Sequence, residues 1–299
     1  MTGSNFLSRQ QTDVLRGLAA IIIAVFHVLI EWECHRVVNI MGSVSVALFL
    51  FLSGFGIHES YKAKGLKDYW LKKCRRIIVP YWLFLTVVTL LRGFPGWKPF
   101  LLDFFFIQSE FWFIPYLVHC YLVYWIIQRW FSKWLVPAFI LIGFIALNTL
   151  QQIEAEQSYS FFAGILASQH IHYLRQQKMS FWLRVGCVSF LIGFAFLLLK
   201  EIPAVHAYKG TLIYNYILLF IKLPLAIPFI LLPVFFRFLL QSRLLYLAGI
   251  SSLEIYLVHL PLVPYVEKTV LSFLLFAAAT TLLTFIYYQI NHRIIAKYL

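Results

Sequence analysis

Apolar residues run almost unbroken through the chain, interrupted at intervals by short polar segments. Continuous runs fall near 14–30, 42–58, 77–92, 111–128, 134–150, 158–168, 180–199, 211–236, 244–265 and 270–290. A helix needs about 20 apolar residues to cross a hydrocarbon layer of roughly 30 Å, so most of these runs qualify and 158–168 is short. The pattern predicts an all-α integral membrane protein of about ten transmembrane helices. Run 211–236 carries Lys222 together with Pro224, Pro228 and Pro233. A kinked or broken span is expected there, with neighbouring helices covering the freed carbonyls.

Composition agrees, because 62% of the 299 residues are hydrophobic and 12% are charged, about half the charged share of a soluble domain. The loops then give an orientation. With all ten runs crossing and the N-terminus inside, sixteen of the 25 Lys and Arg residues fall on the inner side and six on the outer. Seven of the inner ones lie in 59–76, and outside sit Glu31, Glu33, Asp103, Glu110, Glu154, Glu156, Glu201 and Glu267. That bias follows the positive-inside rule and predicts cytoplasmic N- and C-termini in the cell (inner or plasma) membrane. The net charge of +13 is thereby a topology signal, and no polar domain gathers it for nucleic acid. No cleavable leader is visible. Cys34, Cys74, Cys120 and Cys187 form no C-x-x-C, so neither a thiolate metal site nor a disulfide framework is expected. One membrane domain, 1–299, is expected to do everything.

Within the first run stand Arg16 and His27. Ionisable groups inside a span are costly, and their default reading is functional. Eleven residues make three helical turns with about 20° to spare, so the two side chains share a face, some 16 Å apart along the axis. A fixed cation thus lies near one membrane surface and a titratable base near the other; a neutral imidazole suits general-base work. The plainer reading of His27 is a ring hydrogen-bonded to a neighbouring carbonyl. In 59–82, Arg75 and Arg76 stand where the loop enters the next helix. They read either as a lipid-touching topology anchor or, with Arg16, as a cytoplasmic mouth for a phosphorylated ligand.

The ninth run, S-S-L-E-I-Y-L-V-H-L-P at 251–261, places Glu254, Tyr256 and His259 in apolar surroundings. His259 is expected at a depth similar to His27. Glu254 is either catalytic or paired with Arg16, Arg184 or Lys222. Trp112 with Glu110 reads as an interfacial belt or as a sugar-stacking platform, and His119 as a satisfied core histidine. No P-loop, dinucleotide fingerprint, H-E-x-x-H or G-x-S-x-G motif occurs.

Four stretches resemble the acyltransferase-3 family of integral membrane acyltransferases: L-R-G-L-A-A-I-I-I-A-V-F-H (15–27), V-A-L-F-L-F-L-S-G-F-G-I (46–57), R-R-I-I-V-P-Y-W (75–82) and L-A-G-I-S-S-L-E-I-Y-L-V-H-L-P (247–261). Their order and spacing cover essentially the whole chain. The resemblance implies a ten-helix domain that moves an acyl group, acetyl foremost, from cytoplasmic acyl-CoA to a hydroxyl of a surface polysaccharide or lipid-linked glycan. His27 becomes the base, and Arg16, Arg75 and Arg76 become ligands of the CoA phosphates. Glu254, Tyr256, His259 and Trp112 become supporting or acceptor-side residues; Tyr256, Ser252 or a helix-end amide would face the oxyanion. Acyl-CoA enters as co-substrate, with no bound cofactor and no metal. Val79 departs from the family pattern, where many relatives have a proline. The competing readings are a proton-coupled transporter or flippase of a glycan precursor, and a subunit that binds donor or acceptor without turnover.

Overall fold

The computed structural model describes residues 6–34 and 36–298. The side chains of Arg36 and Lys297, counted among the loop charges, lie outside the described residues. The protein is 84% helical, and no strand occurs among the described residues. The main helices are α1 (Arg9–Glu31), α2 (Arg36–Lys64), α3 (Tyr69–Arg92), α4 (Trp97–Phe104), α5 (Phe113–Trp130), α6 (Leu135–Thr149), α7 (Ser160–Gln169), α8 (Met179–Glu201), α9 (Leu212–Phe235), α10 (Arg243–Ile250), α11 (Ser252–Leu262) and α12 (Val270–Tyr298).

Seven of the helices are long and apolar enough to cross a membrane, and eight if the pair α10 and α11, broken at Ser251, is one span. The difference from ten has two visible sources. Helix α7 has ten residues, about 15 Å, too short to cross alone. Helix α5 is long enough, but its tyrosines, Gln128, Arg129 and His119 dilute its hydropathy. The membrane character is independently visible in α8 and α12. Both are strongly apolar, yet only 17% of each span is buried within the protein. Leu183, Val188, Leu191 and Leu198 on α8 stand exposed, an apolar surface that needs lipid rather than water around it.

The chain groups into two interleaved compact units, residues 1–63 with 136–252 and residues 64–135 with 253–299. In the first, α1, α2 and α9 are the innermost spans. Their facing side chains, Leu15, Ala19, Leu48, Leu52, Ile221 and Ile230 among them, form one apolar core. Ser8 caps α1 reciprocally with Gln11 at 3.3 Å each way, satisfying end donors of the helix. Helix α9 departs from expectation. It is a continuous 24-residue helix despite Pro224, Pro228 and Pro233, so it is not broken. Each proline deletes one backbone donor, which a helix packed among neighbours can tolerate.

Two glycine pairs set the closest approaches in this unit. A Cβ on Gly17 would lie 1.9 Å from the Leu245 carbonyl oxygen, and one on Gly249 would lie 1.8 Å from that of Asp13. Helices α1 and α10 therefore touch backbone to backbone. Gly54 of α2 and Gly164 of α7 repeat the device, each 1.9 Å from the opposing carbonyl of Phe161 or Phe51. Close packing on small residues is how helices associate where no hydrophobic effect drives them.

The second unit is tied by aromatic and hydroxyl contacts. The Tyr69 hydroxyl donates to the Tyr121 carbonyl at 2.7 Å. Trp82 stacks on Phe104 at 4.5 Å and donates its indole N–H to the Phe104 carbonyl at 2.9 Å. Tyr287 donates to the Pro80 carbonyl. Within α3, Cys74–Ile78 is a π turn. The Val79 N–H donates to the Cys74 carbonyl, the wide i→i−5 bond of such a turn. A proline at 79 could not make that bond, which gives the departure at Val79 a structural meaning.

Candidate functional site

In the first unit the site is built on α1. Arg16 follows Asp13 by one turn, and its Nη1 lies 3.3 Å from an Asp13 carboxylate oxygen. Its side chain remains 28% exposed, so the guanidinium is steered rather than sequestered. A Cβ on Gly56 of α2 would lie 3.1 Å from Arg16 Nη2, so the guanidinium passes across the one bare turn of that helix. The Gly17–Gly249 crossing grips the same turn of α1 that carries Asp13 and Arg16.

Three turns further on, His27 is partly buried and holds its Nδ1 2.9 Å from the Ile23 carbonyl oxygen. A carbonyl can only accept, so Nδ1 carries the hydrogen and the neutral ring bears its lone pair on Nε2. The plainer reading and the functional one are thus compatible: the backbone bond selects the tautomer and orients the base. The ring is flanked edge-on by Phe26 at 5.7 Å. Phe26 in turn covers Gly42 of α2, where a Cβ would lie 2.1 Å from its ring.

The second unit holds the other candidates. Arg75 and Arg76 sit in the π turn, Arg75 partly buried and Arg76 exposed. Arg75 Nε is buried without a hydrogen-bond partner among the described residues. Glu254, Tyr256 and His259 share α11. Glu254 is 7% exposed and accepts from Asn291 Nδ2 at 3.1 Å. His259 is fully buried, with Nδ1 2.8 Å from the Ile255 carbonyl, the arrangement seen at His27. The Tyr256 ring packs against Phe113 at 5.4 Å and His259 at 5.8 Å. Trp112 is partly buried beside Phe113 and Tyr116, at 6.1 and 6.3 Å. Glu110 is exposed and pairs with Arg92 at 3.0 Å.

Three expectations need correcting. Lys222 does not pair with Glu254; it forms an ion pair with Glu156, and both are buried. Glu156 accordingly does not stand in an outer loop exposed to water: the segment around it is folded in, with Ala155 and Ser160 fully buried. His119 is exposed on α5, not a core histidine. The sequence did carry a signal for the pair, since a lysine inside an apolar run requires a carboxylate partner. Polar 151–157 was the adjacent source. A second missed cluster joins Tyr81, Asp103 and Ser109: the Tyr81 hydroxyl donates to Asp103 and lies 2.8 Å from the Ser109 hydroxyl. Burial pushes the Asp103 carboxyl above its ordinary range, against the opposing pull of those hydroxyls.

The chain matches the acyltransferase-3 family, described as an acyltransferase domain, over residues 9–288, and it belongs to that family. No curated protein and no solved structure matches it.

Proposed function

We propose that this multi-pass member of the acyltransferase-3 family transfers an acyl group, acetyl in the simplest case, from cytoplasmic acyl-CoA to a hydroxyl of a surface polysaccharide or lipid-linked glycan. The observation that carries the reading is the face of α1. It presents Arg16, partly exposed, and three turns away a histidine whose Nδ1–H is committed to Ile23. Arg16, with Arg75 and Arg76, would hold the phosphates of the donor, because arginine keeps its charge at any working pH. The loop charges put those cations on the cytoplasmic side of the cell membrane, with both termini.

His27 Nε2 then takes the proton of the acceptor hydroxyl as its oxygen attacks the thioester carbonyl carbon. The tetrahedral intermediate collapses with cleavage of the C–S bond. The departing CoA sulfur recovers the proton from the imidazolium, and the histidine returns to its starting state. Tyr256, Ser252 or a helix-end amide supplies the oxyanion donor. The test is mass spectrometry of surface glycans from cells carrying wild type, His27→Ala or no copy. An acetyl mass increment only with wild type is expected. Equal spectra, with all proteins present in the membrane, would overturn the reading.

A further inference from the structure

The mechanism leaves one buried ionised group unused: the Lys222–Glu156 pair. Both side chains line a cavity of about 310 Å³ in the first unit, a size that takes small molecules. Tyr214, Leu218, Ile221 and Lys222 form one of its walls. Their i, i+4, i+7, i+8 spacing is a single face of α9, running about 12 Å along the axis. The opposite boundary includes Ile40 and Ser43 on α2. Ser43 is next to Gly42, and Gly42 is covered by Phe26, the neighbour of His27. The cavity therefore reaches the level of the candidate base.

Its rim is Lys200, Glu201, His206 and Lys209, and the loop charges place that rim on the outer side. At the floor, Lys222 and Glu156 are 6% and 3% exposed. An ion pair held that deep is costly and often no more stabilising than apolar packing, so a pair facing a void calls for a use. A void walled alternately by ammonium and carboxylate groups matches a ligand that both donates and accepts along its length, as sugar hydroxyls do. Glu156 pairs with Lys222, and Glu201 lies 3.5 Å from Lys200. No carboxylate of the lining is left for Lys209 and His206, which gives the rim an affinity for an anion.

We propose that this cavity binds an acidic sugar residue, one bearing a carboxylate or phosphate, with its hydroxyls on the Lys222–Glu156 pair and its anionic group at Lys209 and His206. That the occupant is the acceptor rests on the acyl-transfer reading; that it binds does not. Purified full-length protein in detergent, without acyl-CoA, is titrated calorimetrically with a glucuronate-bearing disaccharide and with cellobiose as the neutral counterpart. Wild type should bind the acidic sugar at least tenfold more tightly. Lys209→Ala/His206→Ala should erase that preference, and the uncharged floor variant Glu156→Gln/Lys222→Met should bind neither sugar while still unfolding cooperatively.

Equal affinity of wild type and rim variant for the acidic sugar, or full binding by the floor variant, overturns the proposal. So does displacement of the sugar from wild type, but not from the rim variant, by nanodiscs of phosphatidylglycerol, which would make the anion a lipid headgroup. Acyl-CoA hydrolysis followed in the same preparations keeps the two readings apart. Sugar binding absent with His27-dependent hydrolysis intact condemns the cavity alone. Hydrolysis indifferent to His27 condemns the transfer reading and leaves the binding result standing.

Discussion

Replacing Gly249 by alanine puts a single methyl group into the tightest approach in the first unit. Ordinary contact for a Cβ begins near 3.4 Å, and this one would lie 1.8 Å from the Asp13 carbonyl oxygen, a shortfall of about 1.6 Å. The listed atom is backbone, so no side-chain rotation relieves it. Helices α1 and α10 must separate, or the turn of α1 bearing Asp13 and Arg16 must move. Overpacking of this kind costs about 1–3 kcal/mol. A shift of about 1 Å in a positioning group is worth up to ~100-fold in rate. Gly249→Ala should therefore lower the thermal midpoint in detergent and raise the apparent KM for acyl-CoA together. Gly186→Ala is the control, because its Cβ would meet only Leu231 at 3.4 Å. A Gly249→Ala protein with wild-type midpoint and KM, or a Gly186→Ala protein equally impaired, would refute the reasoning.

Arg75→Gln and Arg76→Gln should each weaken donor use by about 1.5–3 kcal/mol, the worth of a hydrogen bond to a charged group. An unchanged KM for acyl-CoA in either variant removes that arginine from the site. Glu156→Gln alone strands a buried ammonium and should cost about 3–5 kcal/mol, whereas Glu156→Gln/Lys222→Met should recover most of it; thermal unfolding of the two compares them directly. Burial holds the Asp103 carboxyl above its ordinary value, so the folded state favours its proton. Its contribution to stability is present at low pH and is lost as pH rises from about 4 through the raised value. Asp103→Asn should remove that component from the pH profile of the unfolding midpoint, and parallel profiles for both proteins would contradict it.

Much of the helix inventory was legible because segment hydropathy reports length and environment directly. The pairing of Arg16 with His27 was legible for the same reason, since helical periodicity alone aligns them. Depth and partnership were less so. Nothing in Q-Q-I-E-A-E-Q says that Glu156 turns inward while Glu154 stays partly exposed; that is decided by Lys222, which lies 66 residues away in the chain. The three prolines of α9 argue locally for a break, yet tertiary packing carries the helix through them. The glycines of L-R-G-L and L-A-G-I were quoted as part of a resemblance. The structure gives them a physical task, letting two backbones touch. His119 was misplaced because a histidine amid aromatics has no periodic signal telling core from lipid-facing side.

The same crossing has a consequence for how the protein is made. Gly17 and Gly249 are 232 residues apart in the chain, and their contact closes the surroundings of Arg16. At roughly 5–20 residues per second of synthesis, α1 waits about 12–46 s in the bilayer before α10 exists. During that interval a guanidinium inside a span lacks one of its neighbouring helices, a costly arrangement unless the insertion machinery or α2 shelters it. Ribosome-arrested chains ending before residue 243 should therefore expose α1 to crosslinking with translocation or chaperone components, and chains extended beyond residue 250 should release it.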